Sequence, residues 1–515
     1  AIAMEKRTLI AAVICSVFLV WYMQLIRPKP LPPGTTPPAS SSQEQPATSF
    51  QRDLSAHLIQ QEDVTRIESS DVLLEIGHKS GSIRQATLKK FLNDAKQPLS
   101  FGRKLPVLSL VPLDQKIEWR KLSSTSLDVM LGASINGSTY ELSYTLHEDV
   151  PLVDVRFKQH AANQSIGVVI LSAWSKGDAI LGHQNQLEAV IKSVSDGQKT
   201  RYSKYSASNK EVKLVPRGTS LLSLSERYFC MSIKPEHGTM QTALIPSEEG
   251  MIVAESTATL NTLQQGTEYA ATVYIGPRDY FYMNKAGFGD AFPIGILGQI
   301  GLVLLMSLSW IAKVTKNYGL AIIIFSGVIT GLMAPFTIMG FKSMKKLQEL
   351  KPKVDRIMAQ YKGDQAKTNQ AIFALYRENR VNPLSGCLPM LLQMPVFIAM
   401  FQAISHFIEL RGKSFLWISD LSLPDRLAKL PISLPLLGDY LNLLPLVMAV
   451  AMYFQTKLSQ RGSAAVESNP SMKMMSGPMM PVMFGVMFYQ VPSGLVLYWL
   501  TNTVLSLVLY KTANT

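Results

Sequence analysis

The chain has 515 residues, of which 47% are apolar and only 17% are charged, and its mean hydropathy is positive. A soluble protein of this length carries more charge, so the composition favours a membrane protein with two or three domains. The net charge of +13 predicts basic cytoplasmic loops rather than direct binding of nucleic acid, and three cysteines without a CxxC spacing predict neither a disulfide framework nor a metal site.

The first predicted element is a transmembrane anchor at residues 4–26. An apolar run begins at Thr8, directly after Lys6 and Arg7, and it is long enough to cross a bilayer. No A-x-A cleavage signal follows it, so the sequence favours an uncleaved anchor over a signal peptide. A stretch rich in proline and serine, residues 27–48, is the predicted linker to the next domain.

Residues 49–290 are predicted to form an antiparallel β-sandwich. Apolar side chains alternate with polar ones at Val72, Leu74 and Ile76, and the same period of two recurs in several later segments. Short alternating segments separated by turn residues are typical of antiparallel sheets with one buried face. The histidines of this domain follow no HxH or HExxH spacing, so the sequence indicates no catalytic centre there, although a sugar-binding sandwich is left open.

The C-terminal part contains apolar segments close to the length of membrane spans, at residues 318–337, 386–408, 441–456, 475–490 and 492–510. Residues 342–380 hold ten Lys or Arg against four Asp or Glu, which places this loop in the cytoplasm. Lys6 and Arg7 place the N-terminus there as well, so an even number of crossings separates the two. Residues 291–312, whose apolar run is broken by glycines and a glutamine, are therefore predicted to be an interfacial helix on the outer surface.

These segments predict a mixed fold class: a polytopic α-helical membrane bundle of six spans, the β-sandwich, and a cytoplasmic helical hairpin at residues 338–385. Both termini would be cytoplasmic. Within the hairpin, Gly363 is expected to end one helix, Asp364 to cap the next, and Pro352 to kink the first. The hairpin is either a solvated connector or a mobile lid that contacts anionic lipid headgroups or a partner.

The predicted spans contain polar residues but no Asp, Glu, Lys or Arg. This neutrality argues against a proton- or ion-coupled transporter, and the chain has no GxxxxGK[ST] loop for ATP-driven transport. The amides of Gln393 and Asn502 are costly to bury without partners, whereas a hydroxyl such as that of Thr330 often bonds to a neighbouring helix. The pattern predicts either interhelical hydrogen bonding or the wall of a hydrated cavity.

Three stretches resemble the YidC family of membrane protein insertases. They are NYGLAIIIFSGVITGLMAPFT, NPLSGCLPMLLQMPVFIAMF and PSGLVLYWLTN, which match its second, third and final spans. The resemblance implies an insertase core at residues 313–515, with five spans around a hydrophilic groove, in the bacterial inner membrane. It also implies that the β-sandwich is periplasmic, and that the protein inserts newly made proteins, alone or beside the Sec translocon, as a chaperone without catalytic residues or a cofactor.

The predicted groove residues are Ser326, Thr330, Gln393, Tyr498, Trp499 and Asn502. By resemblance, Ser326, Tyr498 and Trp499 contact the incoming segment, and Gln393 lines the same groove. The family usually carries an arginine at the position of Thr330, so the groove predicted here is polar but neutral. Nascent membrane proteins and membrane lipids are the expected partners, with the Sec translocon and a ribosome as further ones.

Two other functions fit parts of the sequence. A small-solute transporter or channel would need a continuous path and internal repeats, which the sequence does not display. Alternatively, the β-domain would carry the main function as a periplasmic holdase or binding module that the spans tether to the membrane.

Overall fold

The computed structural model describes residues 61–514, except for 93–95, 103–104, 113–116, 136, 161–167, 176–186, 195–199, 207–211, 216–217, 246–250, 259–260, 264–265, 292–295, 362, 380, 382–387, 406, 435–436 and 460–478. Two compact units divide between Pro293 and Ile294, a β-domain and a helical unit, and each is considered by itself. The predicted anchor at residues 4–26 and the linker at 27–48 lie outside the described residues.

The β-domain consists of two large antiparallel sheets. Its strands are, in chain order, β1 (Val64–Glu68), β2 (Val72–Gly77), β3 (Ile83–Leu92), β4 (Pro98–Phe101), β5 (Leu108–Pro112), β6 (Arg120–Ser124), β7 (Asp128–Ile135), β8 (Ser138–Leu146), β9 (Leu152–His160), β10 (Val168–Ser175), β11 (Glu188–Val194), β12 (Thr200–Ser206), β13 (Lys213–Leu214), β14 (Thr219–Ser225), β15 (Phe229–Pro235), β16 (Gln241–Ile245), β17 (Met251–Ala258), β18 (Asn261–Leu263) and β19 (Gly266–Pro277). The first sheet runs β1-β2-β3-β5-β10-β17-β16-β13, with β4 beside β3. The second runs β12-β11-β14-β15-β19-β9-β8-β7-β6, with β18 beside β19.

The predicted alternation of the β-domain is confirmed. Val72, Leu74 and Ile76 are all buried on β2, because successive side chains of a strand point to opposite faces. The buried faces of the two sheets meet through aromatic rings. Phe101 of the first sheet stacks on Trp174 at a centroid distance of 4.2 Å and lies 5.7 Å from Phe229 of the second sheet. Burial of such large rings is the main stabilising contribution to this core.

Polar side chains of the β-domain are paired locally rather than gathered into a centre. Thr65 Oγ1 and a ring nitrogen of His78 lie 2.6 Å apart, and His147 Nε2 lies 2.8 Å from Asp154 Oδ2. No three His, Cys, Asp or Glu side chains among the described residues are placed to hold a metal ion. The thiol of Cys230 is buried on β15 and forms no disulfide.

The helices are, in chain order, α1 (Tyr280–Lys285), which belongs to the β-domain, and α2 (Ile296–Thr315), α3 (Tyr318–Glu349), α4 (Lys351–Gln360), α5 (Gln365–Glu378), α6 (Leu388–Ser405), α7 (Leu443–Ser459), α8 (Met480–Met487) and α9 (Ser493–Asn514) of the helical unit. Short 3-10 turns lie at Gly289–Ala291 and Ile408–Leu410, and a small hairpin, β20 (Ala428–Leu434) and β21 (Gly438–Leu441), precedes α7.

Three helices of the described chain, α2, α3 and α9, are long and apolar enough to cross a membrane. The helices α6 and α7 fall within or close to predicted spans but are shorter. Within the predicted span 475–490 the structure describes only residues 479–490, of which α8 forms a short central part. The surface location of residues 291–312 and the count of six spans therefore stay predictions.

The region of the predicted hairpin differs from the expectation at Pro352. The long helix α3 runs past the predicted end of its span to Glu349, and α4 starts at Lys351 with Pro352 in its first turn. The expected interruption near Pro352 therefore takes the form of a boundary between two helices instead of a bend within one, because a proline fits the first turn of a new helix, where its missing N–H costs nothing. The boundary at Gly363 is confirmed, with φ of +98°, as is the cap at Asp364.

A buried apolar cluster at the helix crossings positions the polar residues considered next. Phe325 of α3, Met400 of α6, Met448 of α7 and Leu497 of α9 all belong to it. Helix α2 joins through Gly301, where an added Cβ would lie 3.1 Å from the Ala399 carbonyl oxygen of α6. The lack of a side chain there allows the two helix backbones to approach closely.

Candidate functional site

The six predicted groove residues are carried by three helices. Ser326 and Thr330 lie on α3, Gln393 lies on α6, and the other three lie on α9. Helix α3 packs along α9 and also contacts α6. The N-cap of α3 is Asn317, whose side-chain oxygen accepts a hydrogen bond from the Leu320 N–H at 3.0 Å. This cap fixes where α3 starts and hence the level at which its polar residues meet the other two helices.

The first polar contact joins α6 to α9. Gln393 Nε2 donates a hydrogen bond to the Tyr498 hydroxyl at 2.9 Å. Tyr498 is fully buried, and its ring lies 6.3 Å from that of Phe325. Gln393 itself is half-buried. Each of the two polar groups thus satisfies the other inside an apolar bundle, where an unpaired amide or hydroxyl is costly.

The second polar contact joins α3 to α9. Thr330 Oγ1 donates to Asn502 Oδ1 at 2.6 Å. Asn502 follows Tyr498 by one helical turn, and its amide lies beside the Tyr498 hydroxyl. The buried Nδ2 of Asn502 nevertheless forms no hydrogen bond of good geometry with any residue that the structure describes. Gln393, Tyr498, Asn502 and Thr330 therefore form one line of polar groups across three helices, which we name the polar row.

The polar row is neutral, and the Asn502 amide is engaged through its oxygen. An amide provides an acceptor oxygen and two N–H donors, and Thr330 occupies only the oxygen of Asn502. The Nδ2 donors are buried beside the Tyr498 hydroxyl, so they would reach a peptide carbonyl only after the helices separate. Interhelical hydrogen bonds of this kind contribute on average about 0.6 kcal/mol in membrane proteins. They are weak enough to be exchanged for bonds to another polar group.

The structure places Ser326 differently from the other hydroxyl on α3. Ser326 is fully buried, and its Oγ donates to the Ile322 carbonyl oxygen of its own helix at 2.7 Å. It lies one turn before Thr330 but does not join the polar row. A contact between Ser326 and an incoming segment would require the helices that cover it to move, so that role stays a prediction.

Trp499 lies in an aromatic cluster that ties α9 to α6 and α8. Its ring meets Phe397 edge-on at 4.7 Å, stacks on Phe484 at 5.9 Å and lies 5.6 Å from Phe488. Such pairs stabilise a core by about 0.5–1.5 kcal/mol each beyond the area that they bury. Packing is thus a sufficient reason for a tryptophan here, and its contact with a substrate stays a prediction.

Sequence reasoning missed two glycines beside the polar row. An added Cβ at Gly327 or at Gly331 would meet no atom within 4 Å. Ile324 and Val328, which share this side of the helix, are exposed. These four residues define the open face of α3, with Thr330 at its edge. The GxxxG spacing of the two glycines was the available signal, since it marks helix faces that admit another helix closely.

A carboxylate that the sequence analysis did not consider joins three elements at the start of α3. Glu409 Oε2 accepts hydrogen bonds from the Tyr318 hydroxyl at 2.5 Å and from Ser309 Oγ of α2 at 3.1 Å. Glu409 lies directly after the predicted span 386–408. Its two partners are hydroxyl groups, so it stabilises the packing of α2 and α3 without an opposite charge.

Comparison with known proteins gives consistent results. Residues 310–514 match the family model described as "60Kd inner membrane protein". The chain is 30% identical to a "Membrane protein insertase YidC" of Geobacter metallireducens, over 98% of this chain and 97% of that protein. It is 27% identical to the protein of that name from Chlorobaculum parvum, over 98% and 93%. With that of Syntrophobacter fumaroxidans it shares 42% identity over 45% of this chain and 41% of that protein.

Proposed function

This chain belongs to the YidC family of membrane protein insertases, and from that premise we propose that nascent segments enter the bilayer along the open face of α3, beside the polar row. The protein is a multi-pass inner-membrane insertase that acts on nascent membrane proteins. We propose the site on this chain, the route of the nascent segment and the further partners.

One observation supports this route above the others: the polar row borders a helix face that no described side chain fills. The Thr330–Asn502 bond marks the edge of that face, and Gly327 and Gly331 leave room for a second backbone. A segment that docks there would find apolar contacts at Ile324 and Val328, and it would reach the polar groups of Thr330 and Asn502 on separation of α3 from α9.

The physical problem of insertion is to move polar chain across about 30 Å of hydrocarbon. A charged side chain at the centre costs at least about 2.5 kcal/mol, and the polar row would shorten the dry path once it opens and takes up water. The apolar part of the segment then leaves into lipid, and its burial supplies about 25 cal/mol per Å². No covalent bond forms or breaks in this mechanism. The proposed function is therefore not enzymatic, and it requires neither ATP nor a cofactor.

We base the proposed arrangement of the chain in the membrane on the charge distribution of the sequence. Six spans place both termini and the region 338–385 in the cytoplasm and residues 49–290 in the periplasm. The basic helices α4 and α5 would then contact anionic headgroups at the mouth of the groove. The Sec translocon and a ribosome are proposed partners of the same machinery.

Site-specific photo-crosslinking tests the route. A photo-reactive residue replaces Val328 on the open face of α3, and in a matched control it replaces Val303, an exposed valine of α2. A radiolabelled nascent membrane segment is presented to each variant in native membranes. We expect capture from position 328 several-fold above that from position 303. Equal capture from both, or preferential capture from 303, would show that the open face is not the route.

A further inference from the structure

A tight turn after α6 presents two large apolar side chains to the surroundings. Phe415 and Ile418 exchange backbone hydrogen bonds in both directions at 2.9 Å, so Leu416 and Trp417 form its tip. Leu416 is 74% exposed and Trp417 is 41% exposed. We name this pair the apolar tip. In water, two such neighbouring side chains at the end of a loop would be unfavourable.

The backbone at the apolar tip is strained for the residue that it carries. Leu416 has φ of +51°, a region that glycine or asparagine adopts readily and a leucine only at a cost. A turn that served the chain reversal alone would be more stable with glycine at this position. The leucine side chain gains no packing inside the described chain, where it is exposed, so a contact outside the chain would account for its presence.

The base of the turn is fixed to the beginnings of two long helices. Phe415 packs directly on Gly319, in the first turn of α3, where no side chain would fit. The Leu421 N–H donates to the Lys413 carbonyl oxygen at 2.9 Å, and the Gly494 N–H at the start of α9 donates to the Leu421 carbonyl oxygen at 2.9 Å. The tip therefore lies level with the N-terminal ends of α3 and α9.

That level is where a membrane surface must fall. Both α3 and α9 are long and apolar enough to cross a bilayer, so their N-terminal turns lie near one boundary of the hydrocarbon. Tryptophan is enriched at this boundary, where its ring is in the acyl region and its N–H is among the headgroups. Lys413, which is exposed three residues before Leu416, can meet lipid phosphate from the same loop.

We propose that the apolar tip, Leu416 and Trp417, inserts into the boundary between headgroups and acyl chains of the leaflet at the N-terminal ends of α3 and α9. The lipid contact fixes the height and tilt of these two helices relative to the bilayer. This anchor is independent of the route proposed for nascent segments, since it lies at the end of α3 and not on its open face.

Fluorescence quenching by brominated lipids tests the anchor. The full chain and its W417F variant are reconstituted into vesicles whose lipids carry bromine either near the headgroup or near the bilayer centre, and the difference between the two spectra isolates Trp417. We expect this difference signal to lose intensity with both lipids and more strongly with the shallow bromines.

The matched control is W119F, because Trp119 is buried in the β-domain and its difference signal should not respond. A Trp417 signal that aqueous iodide quenches and brominated lipids do not would overturn the proposal in favour of water or a protein partner.

The L416G variant separates anchoring from chain folding. Glycine relieves the positive φ, so thermal stability in detergent should be equal or higher. We expect the quenching of Trp417 by shallow bromines to decrease in this variant, because half of the apolar tip is gone. Unchanged quenching in L416G would remove Leu416 from the anchor and overturn the two-residue proposal.

Discussion

The hydroxyl of Thr330 and the amide oxygen of Asn502 lie 2.6 Å apart, and their hydrogen bond joins α3 to α9 across 172 residues of sequence. The bond lies between the open face of α3 and the buried Tyr498. Because it combines two neutral side chains, it holds the helices together more weakly than an ion pair in the same place would. Loss of this bond would leave the Asn502 amide oxygen without the Thr330 donor.

Removal of the Thr330 hydroxyl should measure what this bond contributes. In T330V the Asn502 oxygen stays buried without its donor, so we expect the free energy of unfolding to fall by about 1 kcal/mol. Thermal unfolding in detergent micelles checks this. The matched control is T501V, since the Thr501 hydroxyl bonds only to the Leu497 carbonyl oxygen of its own helix. An equal loss in both variants would mean that the interhelical bond stabilises nothing.

An arginine at position 330 should change which segments the protein inserts. The resemblance to the family associates this position with arginine, and a positive charge beside the open face of α3 attracts acidic flanking residues. We expect T330R to increase insertion of a segment with an acidic flank by about fivefold, which corresponds to ~1 kcal/mol of attraction. An in vitro insertion assay with vesicles measures the effect. T330Q, which is similar in length and neutral, should leave the preference unchanged; the same gain in T330Q would exclude charge as the cause.

The parts of the structure that could be predicted from sequence are those set by neighbours along the chain. The alternation at Val72, Leu74 and Ile76 fixes one strand face, and Gly363 followed by Asp364 fixes a helix boundary. The polarity of the spans, together with the family resemblance, also selected six residues, of which four form the polar row. Their pairing could not be predicted, because it depends on how three helices rotate about their axes.

Features that depend on distant contacts were the ones that sequence reasoning missed or misread. Glu409 accepts a hydrogen bond from Tyr318, which is 91 residues away in the sequence, and no local pattern indicates that contact. Pro352 has the same local signature whether it kinks a helix or lies in the first turn of a new one, so the sequence alone could not decide between the two. The aromatic packing of Trp499 against Phe397, Phe484 and Phe488 could likewise not be predicted, and its contact with a substrate, which the resemblance implies, stays a prediction.

Alanine at Gly331 should stabilise the helical unit. An added Cβ would meet nothing within 4 Å, and alanine is a better helix former than glycine by about 0.5–1 kcal/mol, so we expect G331A to raise the free energy of unfolding by that amount. The same substitution at Gly301, G301A, should destabilise, because its Cβ would press on the Ala399 carbonyl oxygen at 3.1 Å. Chemical unfolding in micelles compares the two. A loss of stability in G331A would show that the open face is filled by packing.

The thiol of Cys230 should resist alkylation until the β-domain unfolds. Burial raises the pKa of this thiol to about 12, whereas a free thiol titrates near 8.5. In a C15S/C387S variant we therefore expect maleimide to react at pH 8 at least ~10³-fold more slowly than with the same chain in concentrated urea, since only the thiolate attacks. Because the folded-state pKa is raised, the contribution of this group to stability is present below about pH 8.5 and decreases above it. Fast labelling of the folded chain would contradict the buried position.

The carboxylate of Asp364 should make helix α5 sensitive to acid. Its Oδ1 accepts the Lys367 backbone N–H at 3.1 Å, and this hydrogen bond lowers the pKa of the Asp364 carboxyl below its usual value of 3.8. A depressed folded-state pKa means that the stabilisation is complete above about pH 4 and is lost as the pH falls through the folded pKa. Hydrogen-exchange protection of α5, followed between about pH 2 and pH 7, should therefore decrease at the acid end.

The D364N variant keeps a capping oxygen that does not titrate, so its protection should be independent of pH over this range. A parallel decrease in D364N would assign the acid sensitivity to another group, whereas D364A should lose protection at every pH.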